Sequence, residues 1–139
     1  MPDFKFWDPE MARAFLEAPD YPERAKDALK EMHHQVGDLT LDENGIAQRG
    51  ILLRHLVMPE GIAGTRDIMH FVAHEISPDT YVNIMNQYRP CGLAYRKKPL
   101  DRSITQAEYE TALEEAREEG ITRLDKRERK GMIFRWLDE

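Results

Sequence analysis

Residues 51–61 read ILLRHLVMPEG, and the way this stretch folds decides how the rest must be arranged. The apolar run closed by Pro59 and Gly61 predicts a β-strand. A strand covered by helices on both faces reads as unbroken Val, Ile and Leu, whereas this one is interrupted by Arg54 and His55. Side chains alternate between faces along a strand. Leu52, Arg54 and Leu56 therefore share one face, and Leu53, His55 and Val57 the other. Just upstream, DLTLDENGIAQRG (38–50) predicts a small hairpin turning at Asn44-Gly45. Just downstream, GTRDIMHFVAHEIS (64–77) has a helical period, with Thr65 as its expected cap and Ile68, Phe71, Val72 and Ile76 along one side.

The same alternation of strand and helix continues outward. DTYVNIMNQYRP (79–90) is rich in β-branched and aromatic residues and predicts a further strand. Its alternation sets Asn83, Met85, Gln87 and Arg89 against Val82, Ile84, Asn86 and Tyr88. CGLAYRKKPLDRS (91–103) predicts a loop. TQAEYETALEEAREEG (105–120) predicts a helix capped by Ser103 or Thr105, with Tyr109, Leu113 and Ala116 inward and Gly120 as its stop. Towards the amino terminus, DFKFW (3–7) alternates charged with aromatic residues and predicts a short strand with Asp3, Lys5 and Trp7 on one face and Phe4 and Phe6 on the other. Two helices are expected after it. The first starts at Asp8-Pro9, with Met11, Phe15 and Leu16 on one face; the second runs to Gly37, with Ala25, Ala28, Leu29 and Met32 as its apolar stripe. Near the carboxyl end, GMIFRWL (131–137) predicts a terminal strand beyond a charged segment.

Strands alternating with helices define an α/β fold built from parallel units with right-handed crossovers. In such folds function gathers at the carboxyl ends of the strands, which here are Lys5 to Asp8, Arg54 to Pro59 and Asn86 to Pro90. Each strand carries a charged group on one face, so a curved sheet would bring Asp3, Lys5 and Arg54 onto a common surface. A structural ion-pair network among the three is the plainer alternative.

Composition narrows the partners. The chain has 139 residues, the size of one domain, and is 41% hydrophobic and 33% charged. A net charge of −6 argues against nucleic acid or an anionic membrane as the principal partner. No apolar run approaches the ~20 residues of a membrane span. One cysteine, Cys91, excludes an internal disulfide and leads us to expect a cytoplasmic location.

Other constellations are weak. His70 and His74 have the i, i+4 spacing of metal-binding pairs. Phe71 stands where the zinc-protease pattern needs Glu, and the sequence offers no evident third ligand, so no metal is expected there. His33-His34 is weaker still. No glycine-rich phosphate loop is present. The runs EEAREEG and DKRERKG predict solvated faces.

Taken together, PDFKFWD, RGILLRHLVMPEG, ISPDTYVNIMNQYRPC and ITRLD resemble the carboxyl-terminal half of radical S-adenosylmethionine (radical SAM) proteins of the pyruvate formate-lyase activating-enzyme-like family. The resemblance runs from about residue 2 to about residue 125 and rests on three motifs in order: D-x-K, R-H-L-V-x-P and N-x-x-x-Q-Y-x-P. It implies a partial (β/α) barrel, open on one side. It also implies a 4Fe–4S cluster that cleaves S-adenosylmethionine reductively to a 5′-deoxyadenosyl radical, which abstracts hydrogen from a substrate such as a glycyl-radical enzyme. By resemblance, Asp3 and Lys5 lie beside the methionine end of S-adenosylmethionine, with Lys5 suited to its carboxylate, and Arg54 lies near the same ligand. Arg89 stands where better-known activating enzymes carry a ligand-contacting histidine, so Gln87 or Arg89 is expected to take that place. Tyr88 matches the motif and is expected to pack on the opposite face.

The family's cluster is held by a C-x-x-x-C-x-x-C loop, and one cysteine cannot supply those thiolates. The expectation is therefore that residues 1–125 form the carboxyl-terminal part of a radical SAM barrel and 126–139 a charged tail with a short strand. Met1 would be an internal methionine of a truncated gene product, a recombinant fragment or one subunit of a split protein. Such a chain is expected to be inactive alone. Its partners would be the missing amino-terminal half or a second copy at the open barrel edge. The rival reading is a non-catalytic binding or interaction module that uses that unpaired edge.

Overall fold

The computed structural model describes residues 1–125. The expected terminal strand at 131–137, and the tail as a whole, lie outside the described residues. The central feature is a parallel pair, β3 (Leu52–Leu56) with β4 (Tyr81–Met85), in register from Leu52↔Tyr81 to Leu56↔Met85. Two shorter segments extend this pair in chain order. Asp3 bridges Arg54 on one side and Leu124 bridges Val82 on the other, both parallel. The bonds are regular: Phe4 N–H donates to the Arg54 carbonyl at 3.0 Å, Arg54 N–H to Pro2 at 2.9 Å, Val82 N–H to Arg123 at 2.9 Å and Asp125 N–H to Val82 at 2.8 Å. The result is a mixed α/β fold with a small parallel sheet, which closes into no barrel among the described residues.

The strand expected over residues 3–7 is reduced to the single bridge at Asp3. The Phe4 carbonyl, next in line for the ladder, accepts instead from His55 Nδ1 at 2.8 Å, while on the other edge the Lys5 amide donates to the Tyr21 hydroxyl at 2.9 Å and the Trp7 amide to the Ala63 carbonyl at 3.0 Å. The segment 122–125, which carries no strand signal in its sequence, forms a sheet edge through the bridge at Leu124.

The helices lie close to expectation. α1 (Pro9–Leu16) is capped by the Asp8 carboxylate, which accepts from the Glu10 amide at 2.7 Å. α2 (Tyr21–Val36) stops at Gly37. Of its expected stripe only Leu29 is buried; Ala28 is exposed and Met32 is 44% exposed, so the stripe is narrower than its spacing suggested. Leu16 of α1 is likewise exposed. The hairpin β1 (Thr40–Leu41) and β2 (Ala47–Arg49) forms around Asp42, whose carboxylate accepts from the Asn44 and Ile46 amides. α3 (Thr65–Phe71) runs into a π turn over Val72–Ile76. α4 (Gln106–Glu118) packs against α3.

α4 begins with a reciprocal capping box: the Thr105 hydroxyl accepts from the Glu108 amide at 3.2 Å and Glu108 accepts from the Thr105 amide at 2.7 Å. Arg102, bonded through both guanidinium nitrogens, holds the Glu108 carboxyl well below the usual range. Thr105→Ala should therefore lower stability by about 1 kcal/mol, read as a shift in urea midpoint at unchanged slope.

One face of the sheet is buried beneath these helices. Phe4, Leu53, Val57, Val82 and Ile84 meet Ile68, Met69, Phe71, Val72, Ala112 and Ala116 in one apolar cluster. Phe6, expected on the same side as Phe4, is equally buried but joins a second cluster with Ala12, Met58, Ala63 and Leu100. The opposite face of the sheet carries the polar groups.

Candidate functional site

Register places Asp3, Arg54 and Asn83 side by side on three neighbouring rows of that second face. Alternation adds Lys5, Leu52, Leu56, Tyr81 and Met85 to the same face. The Asp3 carboxylate sits between two cations: one oxygen accepts from Lys5 Nζ and the other from Arg54 Nε, each at 2.6 Å. The ion-pair network allowed by the sequence is thus present. Burial alone would push the Asp3 carboxyl up, but Arg54 and Lys5 outweigh it and hold it below its ordinary value. Asp3 in turn raises the Arg54 guanidinium. Two cations against one carboxylate leave a net positive charge on this face. The Lys5 and Arg54 side chains are 38% and 40% exposed, so water or a ligand can still reach them.

Further along the face, the Tyr81 hydroxyl donates to Asp125 at 3.1 Å and the Arg123 guanidinium lies 5.5 Å from the Tyr81 ring. Beside them opens a cleft of about 730 Å³ lined by Asn83, Met85, Asn86, Gln87, Gln106 and Tyr109, among others. Its lining is rich in amides, which both donate and accept.

Gln87 and Arg89 do not follow the strand alternation assumed for them. β4 ends at Met85, where the Val57 amide closes the ladder by donating to the Met85 carbonyl. Beyond that point no neighbouring strand among the described residues continues, and residues 86–90 are irregular. Gln87 reaches the cleft wall, with its amide 3.4 Å from Met85 Sδ. Arg89 is exposed and does not line the cleft. Tyr88 turns to the other side, as expected: it packs against the second apolar cluster and donates to the Leu100 carbonyl at 2.8 Å.

His55 is a functional group that no sequence motif marks. It is fully buried, with Nδ1 at 2.8 Å from the Phe4 carbonyl and Nε2 at 2.9 Å from Thr65 Oγ1. A carbonyl can only accept, so Nδ1 carries the proton and Nε2 accepts from the Thr65 hydroxyl. Thr65 consequently does not cap α3; Gly64 occupies that position and the hydroxyl is spent on His55. His55 thereby ties the segment bearing Asp3 and Lys5 to β3 and α3.

Cys91 is exposed on the loop after β4. His70 and His74 lie on the far side of α3 from the core, and Glu119 from the end of α4 joins them. No helix among the described residues is long and apolar enough to cross a membrane.

The chain matches no protein-family profile. No solved structure matches it either. Among curated proteins, an uncharacterized protein of Methanocaldococcus jannaschii is 30% identical over 113 residues, which are 81% of this chain and 29% of that protein. The chain thus spans less than a third of the length of the curated relative it matches.

Proposed function

We propose that this chain is a carboxyl-terminal part of a radical SAM protein of the pyruvate formate-lyase activating-enzyme-like family, and that its open sheet face forms a wall of the S-adenosylmethionine site. The observation that carries this reading is the row Asp3–Arg54–Asn83, with Lys5 beside it, on the sheet face opposite the helices, where parallel rows follow chain order. In this reading the rows are consecutive strands of a partial (β/α) barrel and the face is its interior. Lys5 binds the methionine carboxylate of the ligand. Asp3 orients Lys5 and Arg54 and keeps both cations from folding back onto other carboxylates. Gln87 contacts the ligand from the cleft, and Arg89 takes a more peripheral part at the same rim.

The residues present suit the sulfonium ligand's carboxylate, but they do not suit an iron–sulfur cluster. A 4Fe–4S cubane is held by several thiolates, and this chain has Cys91 alone. No catalytic step is therefore assigned to these residues; they bind and orient. After iron–sulfur reconstitution the isolated chain should show no 4Fe–4S signal and should form no 5′-deoxyadenosine.

Titration calorimetry with S-adenosylmethionine tests the wall directly. Saturable binding is expected, weakened about tenfold or more by Lys5→Ala and by Arg54→Ala, the loss typical of a charge-assisted contact. Circular dichroism would establish that both variants fold. Absence of saturable binding, or binding indifferent to both substitutions, would remove the proposal.

A further inference from the structure

The pair His70 and His74 lacks a third ligand in the sequence, and the fold supplies one from 45 residues beyond His74. Glu119, the residue that ends α4, reaches α3 and accepts from His70 Nδ1 at 2.8 Å. One donor atom from each of His70, His74 and Glu119 lies within 4.8 Å of the others. The two imidazoles stack with centroids 4.2 Å apart, His74 being carried by the π turn over Val72–Ile76 that interrupts the regular helix. Such turns recur at functional sites.

We propose that His70, His74 and Glu119 form a surface site for one borderline divalent transition-metal ion, with zinc as its natural probe. Three observations support this. First, His74 Nδ1 is 2.9 Å from the His70 carbonyl and must donate to it. That bond fixes the tautomer and leaves Nε2 with a free lone pair, the arrangement found behind metal-bound histidines. Second, the Glu119 carboxylate is positioned from both sides: one oxygen faces His70 and the other accepts from Arg66 Nη1 at 3.1 Å. Third, the distances lie within reach of a common metal ion. Metal–ligand bonds of about 2.0–2.1 Å at tetrahedral angles set ligand atoms about 3.3 Å apart. A metal replacing the proton between His70 and Glu119 needs only a slight opening of their 2.8 Å contact. The remaining separations, at most 4.8 Å, must shorten by side-chain rotation, for which the exposed His70 and His74 leave room.

Two imidazoles and a carboxylate suit zinc, cobalt or nickel better than calcium or magnesium, which take oxygen ligands. Water would complete the shell. The ordinary alternative is a simple His70–Glu119 ion pair joining α3 to α4, in which His74 has no part. The inference is independent of the S-adenosylmethionine reading, because the site lies on the opposite side of the sheet's helical cover.

The test is titration of the full 139-residue chain with zinc chloride, and with cobalt(II) followed by its visible absorption. One equivalent should bind, the cobalt complex showing a tetrahedral-type spectrum. His74→Ala and Glu119→Gln should each weaken zinc binding about tenfold or more. His70 and His74 are exposed and Glu119 is half-buried, so circular dichroism would establish that each variant folds; His33→Ala, at the unrelated histidine pair on α2, should leave binding unchanged. Lack of zinc binding at micromolar concentration, or binding undiminished in His74→Ala, would overturn the site and leave only the ion pair.

Discussion

Gly50→Ala is expected to lower the unfolding free energy by about 3 kcal/mol or more. Gly50 joins the hairpin to β3 with φ of +104°, a conformation that side chains rarely adopt. An added Cβ would fall 2.1 Å from the Asp38 carbonyl oxygen, 2.4 Å from its carbon and 2.6 Å from Leu39 Cα. All three are backbone atoms, so no rotamer change relieves the contact. The crossing cannot simply open, because Ile51 N–H donates to the Gly37 carbonyl at 3.0 Å and Asp38 bridges Ile51 there. Gly45 is the control. It has φ of +77° in the hairpin turn, yet its Cβ would meet nothing within 4 Å. Gly45→Ala should cost only the backbone preference, about 1–2 kcal/mol. Urea denaturation of both variants separates the two contributions; equal losses would mean that the close approach at Asp38 does not govern stability.

The second large effect is acid destabilisation through His55. Burial is the main cause that pulls its pKa from 6.5 down to about 4, only partly offset by the bond to the Phe4 carbonyl. The folded value lies below the unfolded one, so the unfolded chain takes up the proton first as pH falls. Stability from the neutral imidazole is therefore complete above pH 6.5, is lost progressively between 6.5 and about 4, and changes no further below that. The whole loss amounts to about 3 kcal/mol, and roughly 2 kcal/mol of it should be spent by pH 5. Denaturant titrations at pH 7.5 and pH 5, on the natural chain and on His55→Gln, isolate this group from the other histidines. The variant should be less stable at pH 7.5 and should lose less on acidification. Parallel pH profiles would show that His55 is not what holds the Phe4 segment to α3.

These two positions illustrate how differently information is stored along the chain. Gly50 carried no signal of its own in the sequence, since its steric role depends on Asp38 passing behind it, which no local pattern encodes. His55 was placed on the correct face by alternation. Its partners are a carbonyl 51 residues away and a hydroxyl 10 residues away, so its burial became explicable only with both in place. Thr65 looked like a cap because its side chain and position are those of a cap; tertiary competition from His55 gave the hydroxyl a different acceptor.

The polar face was more legible. Charges at Asp3, Lys5 and Arg54 stand out because each interrupts a strand, and period-two alternation is enough to put Asp3 and Lys5 together. Their meeting with Arg54 needed the parallel bridge between rows. Extrapolation failed past Met85. The composition of residues 86–90 still favours a strand, but a strand requires a neighbour to take its backbone bonds, and β3 has already ended at Leu56. Gln87 and Arg89 therefore sit where loop geometry puts them. Met32 and Ala28 show the same limit for helices, since helical spacing names a face without saying how much of it another element will cover.

By itself, then, the sequence determined the α/β class, the positions of the long helices, the hairpin turn and the apolar side of the core strands. Each depends on periodicity or turn chemistry acting over a few residues. Tertiary structure alone decided the row Asp3–Arg54–Asn83, the lock of His55 on Phe4 and Thr65, and the approach of Glu119 to His70 and His74. These join groups distant along the chain, and their geometry follows from how elements pack and pair rather than from any local preference.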